Sequence, residues 1–149
     1  MPEFTRKPNR LPSPFYLGLR CYLVTLCTRV REPLFTSSRI VELLVSSLNE
    51  QAGLHSFEVY AYCFMPDHCH LLLYGLTSSS NLSSMVRAYK ARTVVQLRNY
   101  GLRNVWQRSF HDHIIRNERD FRAATAYVLE NPVRAGLITD ARQWPYSGP

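Results

Sequence analysis

Apolar and polar positions alternate or recur at helical spacing in a fixed order along the chain. Tyr22-Leu23-Val24-Thr25-Leu26 is β-branched and aromatic-rich and predicts a first strand. Thr28 to Glu32 reads as a charged turn. Thr36, Ser37 and Ser38 offer N-caps to a helix in which Ile40, Val41, Leu44, Val45 and Leu48 fall on one side, with Gly53 expected to end it. Phe57 to Phe64 predicts a second strand and His68 to Tyr74 a third. Only Pro66-Asp67 separates them, so the two form an antiparallel hairpin. Gly75 and the Ser78-Ser79-Ser80-Asn81 cluster break the chain before a second helix, faced by Leu82, Val86, Tyr89, Thr93 and Leu97. His111 to Arg116 predicts a short fourth strand. Asn117 then caps a third helix, with Glu118 and Asp120 in its first turn and Phe121, Ala124, Thr125 and Val128 as its buried stripe. Pro132 is expected to stop that helix from running on. The tail Trp144-Pro145-Tyr146 is expected to pack back onto the body.

The order strand, helix, strand, strand, helix, strand, helix predicts an α+β fold. It suggests an antiparallel sheet of the ferredoxin-like or RRM-like kind, with its helices on one side. No internal repeat is visible, and 149 residues suit one domain with a substantial core. Residues 1–20 read as a separate proline-rich arm carrying Arg6, Lys7, Arg10 and Arg20, either lying along nucleic acid or simply solvated; the domain proper occupies residues 21–149.

Charge changes the picture. The formal net charge is +7 at pH 7, which points to an anionic partner, nucleic acid first. Lys7 and Lys90 are the only lysines; every other cation is arginine, which forks onto phosphate and stacks on bases. No acidic residue occurs between Asp67 and Asp112. That stretch carries Arg87, Lys90, Arg92, Arg98, Arg103 and Arg108, interleaved with Tyr89, Tyr100 and Trp106. Cations of one sign with interspersed rings suit single-stranded nucleic acid, whereas solvated helix faces usually mix both signs. The cysteines Cys21, Cys27, Cys63 and Cys69 contain no Cys-x-x-Cys pair and are expected to be reduced and buried, in a cytoplasmic protein. The N-terminus has no apolar core of a signal peptide, and no apolar run approaches a membrane span.

The candidate chemistry sits at the turn end of the third strand. Strand residues alternate in direction, so His68 and His70 point the same way and can share a metal ion, while Cys69 points oppositely. The pair alone fits equally one exposed and one core histidine. Further along, Tyr127 and Asn131 are spaced i, i+4 on the third helix and are therefore neighbours. His111 and His113 form a second His-x-His pair and a rival ligand set.

Three stretches resemble one family. Pro66-Asp67-His68-Cys69-His70 resembles the HUH metal motif, with cysteine in the middle instead of a larger hydrophobe. Trp106 through Asn117 (Trp-Gln-Arg-Ser-Phe-His-Asp-His-Ile-Ile-Arg-Asn) resembles the block ahead of the catalytic helix. Tyr127-Val128-Leu129-Glu130-Asn131-Pro132-Val133-Arg134-Ala135-Gly136-Leu137 resembles the nucleophile helix and its exit. Together they are similar to the HUH single-tyrosine transposases, particularly the REP-associated tyrosine transposases of bacteria, over about Tyr22 to Tyr146. The resemblance implies His68, His70 and Asn131 as metal ligands, Tyr127 as nucleophile, and Mg²⁺ or Mn²⁺ as the ion. It implies cleavage and rejoining of single-stranded DNA through a 5′-phosphotyrosine, at hairpin-forming repeats, by a cytoplasmic, nucleoid-associated bacterial enzyme. Insertion-sequence relatives carry glutamine at the Asn131 position, and relatives often carry an aromatic residue at that of His111. Two other readings stay open at this point: a single-stranded nucleic-acid binder that does not cut, and a hydrolase that uses all four histidines. Monomer and homodimer both remain possible.

Overall fold

The alternation in Tyr22–Leu26 becomes an interior strand of the sheet, buried on both faces. The structure, a computed structural model, describes residues 13–149. Its strands are β1 (Cys21–Cys27), β2 (Phe57–Met65), β3 (His68–Gly75), β4 (His111–Ile115) and β5 (Ser147–Gly148). They form one antiparallel sheet in the order β4-β1-β3-β2-β5. The first four strands, with α1 (Ser38–Leu54) and α2 (Leu82–Leu97) as crossovers, give the predicted ferredoxin-like arrangement. No helix among the described residues is long and apolar enough to cross a membrane.

The expectation that all helices share one side does not hold. Tyr22, Val24 and Leu26 face a core shared with Cys69, Leu71 and Leu73 of β3 and with Leu44, Leu48, Met85 and Tyr89 of α1 and α2. The alternate residues Cys21 and Leu23 face a second core with Ala61, Cys63 and Leu72, closed by Ala124 and Val128 of α3 (Glu118–Arg134). The physical reason is that β1 and β3 are apolar on both faces, so both faces need a cover. Each fully buried aliphatic side chain contributes roughly 1.5–3 kcal/mol. α3 thus lies over the sheet face that the crossovers leave open.

The caps expected at Ser37 and Asn117 form, and Asn81, expected only as part of a chain break, supplies a third. Ser37 Oγ accepts from Ile40 N at 3.3 Å, Asn81 Oδ1 from Ser84 N at 3.1 Å, and Asn117 Oδ1 from Asp120 N at 2.8 Å. Two predicted helix ends are corrected. α1 passes through Gly53 to Leu54, because His55 N still reaches Gln51 O at 3.0 Å, and Ser56 at φ 58° makes the reversal. α3 passes through the buried Pro132 to Arg134, and Gly136, at φ 75°, follows the last turn. Pro132 removes only its own N–H, and Ala135 N still reaches Asn131 O at 3.0 Å.

The tail returns as expected and adds an unpredicted strand. Trp144 Nε1 donates to Phe64 O at 3.1 Å, Phe64 N donates to Tyr146 O at 2.8 Å, and Ser147–Gly148 pairs with β2. A Cβ at Gly148 would lie 2.6 Å from Tyr62 Oη, so a side chain there would have to displace the Tyr62 ring. The N-terminal arm is described only from residue 13; there Tyr16 is buried, its ring edge-on to Phe110, and its hydroxyl donates to Asp112 Oδ1 at 3.3 Å. All four cysteines are buried thiols outside any disulfide, and burial pushes the Cys21 and Cys63 thiols up to about 12.

Candidate active site

The site begins where β1 and β3 pair. Thr25 stands opposite His70, and its Oγ1 meets His70 Nδ1 at 2.9 Å. His70 is buried, so its ring is held by packing as well. Two residues earlier, His68 Nδ1 meets Asp67 Oδ1 at 2.7 Å. Arg31 Nε donates to the other carboxylate oxygen, Asp67 Oδ2, at 2.9 Å. The tight turn that brings Arg31 there holds Val30 and Arg31 at φ 50° and 54°, a conformation costly for a β-branched valine. Burial acts to raise the Asp67 pKa, but the hydrogen bonds from Arg31 and His68 outweigh it and hold the carboxyl below its ordinary range. A depressed carboxylate contributes its stability above the ordinary carboxylate range and loses it only as pH falls through the lowered value, so the contact persists at neutral pH. The two imidazoles lie 4.8 Å apart between ring centroids, nearly perpendicular. Both are engaged at Nδ1, which leaves Nε2 as the atom each would offer to a metal ion, in the usual carboxylate- or hydroxyl-braced manner.

α3 covers these rings. Its first turns pack Phe121 against Tyr60, beside Tyr74 near the end of β3. Further along, the Tyr127 ring lies 5.1 Å from the His70 ring at 68°. α3 therefore runs antiparallel to β3, and its next turn, carrying the half-buried Asn131, continues toward the His68 end. Arg134 follows, its guanidinium 5.5 Å from the Tyr127 ring centroid and 3.7 Å from Glu130 Oε2.

Not every predicted residue joins this group. His111 stands opposite Thr25, with β1 between it and His70, and His113 stands opposite Leu23. Among the described residues no three His, Cys, Asp or Glu side chains form a metal-binding group, so the four-histidine set is not assembled. The basic residues lie elsewhere. Arg87, Arg92 and Arg98 are exposed along or just after α2, which belongs to the core on the opposite face of the sheet. Arg98 and Arg103 line a cleft of about 610 Å³ beside Trp106, and Arg108 is exposed on the same connection.

Lys90 has a local task. Its Nζ donates to Gln107 O and Ser109 O, each at 2.8 Å, tying the connection before β4 to α2. Lys90→Met should lower folding stability by about 1.5–3 kcal/mol, the range for hydrogen bonds from a charged donor. Urea unfolding measures this, and an unchanged midpoint would contradict the assignment.

Sequence reasoning missed Thr25, Arg31 and Arg134 as neighbours of the site and treated Asp67 only as a turn residue. Asp67 adjoins His68 in sequence and could have been suspected as its brace. Thr25 and Arg31 reach the histidines only through strand pairing and a loop, which spacing does not reveal.

Residues 19–131 match the family model described as transposase, IS200-like. The chain belongs to this transposase family. Among its relatives, a Haemophilus influenzae protein provisionally assigned as a REP-associated tyrosine transposase is 28% identical over 137 residues, 85% of this chain and 77% of the relative. The REP-associated tyrosine transposase of Escherichia coli is 33% identical over 91 residues, 61% of this chain and 53% of that protein. A REP-associated tyrosine transposase solved bound to a REP hairpin superposes with a TM-score of 0.77 at 26% identity, covering 99% of this chain and 82% of its own. The resemblance seen in the sequence, to the REP-associated branch of transposases, is borne out, as is the α+β fold.

Proposed function

We propose that this transposase cleaves and rejoins single-stranded DNA through a covalent link to Tyr127, at hairpin-forming repeats. The observation that carries the proposal is the Tyr127 ring against His70, on the one sheet face where two braced imidazoles meet. The REP hairpin bound by a structural relative supports DNA of that shape as the partner.

His68 and His70 through Nε2, with Asn131, would hold a divalent ion, Mg²⁺ or Mn²⁺; imidazole ligands favour the latter. When bound, such an ion supplies Lewis-acid polarisation of a phosphate oxygen. The chain's own residues do the rest. Tyr127 Oη attacks the phosphorus and gives up its proton. The phosphorus–O3′ bond breaks, and the departing oxygen takes up a proton as a free 3′-hydroxyl. The 5′-phosphate stays on Tyr127, and the phosphotyrosine bond retains the energy of the broken link, so attack by a 3′-hydroxyl restores DNA without ATP. α3 fixes the phenol against the sheet, so the attack is effectively intramolecular once DNA is bound. The Cys63 thiol, on the residue opposite His70 in β2, is pushed up to about 12 by burial, which disfavours it as a nucleophile. Arg134, beside the Tyr127 ring, adds positive charge where phosphate arrives. The more distant Arg87, Arg92, Arg98, Arg103 and Arg108 contribute salt-dependent affinity along the flanking DNA.

The test is incubation with a hairpin oligonucleotide and Mn²⁺, followed by a denaturing gel. A protein–DNA band that survives denaturation supports the proposal; cleavage without a band favours a hydrolase, and binding without cleavage a non-catalytic reader. Asp67→Asn should weaken metal binding about 10- to 100-fold, as loss of a histidine's brace does elsewhere. Titration with Mn²⁺ checks this, and wild-type affinity in that variant would detach Asp67 from the site.

A further inference from the structure

A second cleft, of about 410 Å³, lies on the α3 face at the far end of the sheet from His68. It originates in a register fault. β2 and β3 keep step from Met65↔His68 to Ala61↔Leu72, then slip before Val59, and Tyr60 is the extra residue. A bulge re-aims the side chain it carries. Here it sets the Tyr60 ring 5.8 Å from Tyr74 and 5.2 Å from Phe121, the latter nearly perpendicular at 86°. Tyr60 remains 37% exposed, so its ring forms an open wall and not part of the core. Arg116 is exposed at the rim. The nearby acid Glu118 is already paired with Arg122 at 2.7 Å. A second acid, Glu58, stands opposite Tyr74 and is exposed to solvent. Rings beside one cation suit a stacked base, with Arg116 placed for its phosphate.

The cleft lies on the same sheet face as Tyr127. Phe121 precedes Tyr127 on α3 by about 9 Å of helix. Tyr74 follows His70 on β3 by about 13 Å of strand. A stacked strand advances about 3.4 Å per nucleotide, so these spans correspond to about three or four nucleotides. We infer that the Tyr60–Tyr74–Phe121 cleft is a subsite for one unpaired nucleobase of the DNA strand, about three or four nucleotides from the bond attacked by Tyr127. The inference rests on the proposed function for the direction of the strand and deepens it by naming what the strand leaves in this cleft.

The test separates the two. A hairpin oligonucleotide of the palindromic repeat nearest the gene, with long unpaired flanks, is scanned by replacing one flank nucleotide at a time with an abasic residue. Binding is measured with metal chelated. One position should cost the wild type about 5- to 150-fold in affinity, the range for one stacked base. Tyr60→Ala, at an exposed bulge position, should lose a similar factor on the intact strand and nothing more on the abasic one. Tyr60→Phe, which keeps the ring, should bind as the wild type does. Wild-type affinity in Tyr60→Ala, or an undiminished abasic penalty in that variant, would overturn the subsite. Adduct formation is read separately with Mn²⁺. An abasic pattern without an adduct sinks the role of Tyr127 and leaves the subsite standing; an adduct without the pattern sinks the subsite alone.

Discussion

Tyr127→Phe is expected to abolish the covalent protein–DNA band while leaving hairpin binding within about twofold of the wild type. The substitution removes one oxygen from a half-buried ring. The ring's contacts with His70 and Arg134 are made by its faces and edges, so packing survives. Surface changes of this kind typically shift stability by no more than about 0.5 kcal/mol. The chemistry cannot survive in the same way. Phenylalanine has no atom that can form the phosphodiester link, and the Thr25 hydroxyl, also beside His70, is engaged with its Nδ1. The expected loss is therefore total for the adduct, not a fractional change in rate. A denaturing gel with labelled DNA reads it directly. An adduct of wild-type intensity from Tyr127→Phe would remove the nucleophile from this helix.

His70→Ala should reduce metal-dependent cleavage by about a thousandfold, because Lewis-acid assistance is worth several kcal/mol of transition-state stabilisation. His70 is the better-buried of the two imidazoles and is fixed on one side by Thr25 and on the other by Tyr127. Its removal would take away a proposed metal ligand and also the surface against which the phenol is placed. Thr25→Val gives the graded comparison: the ligand stays, its brace goes, and metal affinity should fall about 10- to 100-fold. Circular dichroism controls for folding in both variants. Equal cleavage by wild type and His70→Ala at the same Mn²⁺ concentration would end the ligand assignment.

Much of this was legible in the sequence for identifiable reasons. β1, β2 and β3 announce themselves by apolar runs bounded by turn residues, and the two-residue Pro66-Asp67 connection leaves little choice but a hairpin. The stripe Leu82, Val86, Tyr89, Thr93 and Leu97 is buried as its spacing predicts. The i, i+4 spacing of Tyr127 and Asn131 was readable because it is local to one helix. What was not readable depends on contacts distant in sequence. α3 crosses to the opposite face because both faces of β1 are apolar, and a two-sided strand does not say which helix covers which side. The charge of Lys90 is visible in the sequence, while the carbonyls of Gln107 and Ser109 that it reaches are not. β5 is two residues long and has no pattern to detect; its pairing becomes apparent only once Trp144 and Tyr146 dock on Phe64. Tyr60 looked like one more strand aromatic, since a bulge leaves no mark in hydrophobic alternation.

The covalent role of Tyr127 is tested most directly by mass spectrometry of the wild-type complex trapped on a hairpin oligonucleotide with Mn²⁺ and digested with protease and nuclease. The residual nucleotide should be found on the peptide that contains Tyr127, joined through its 5′-phosphate. Finding it on Tyr89, Tyr100 or Tyr146, or finding cleaved DNA with no modified peptide, would contradict the account.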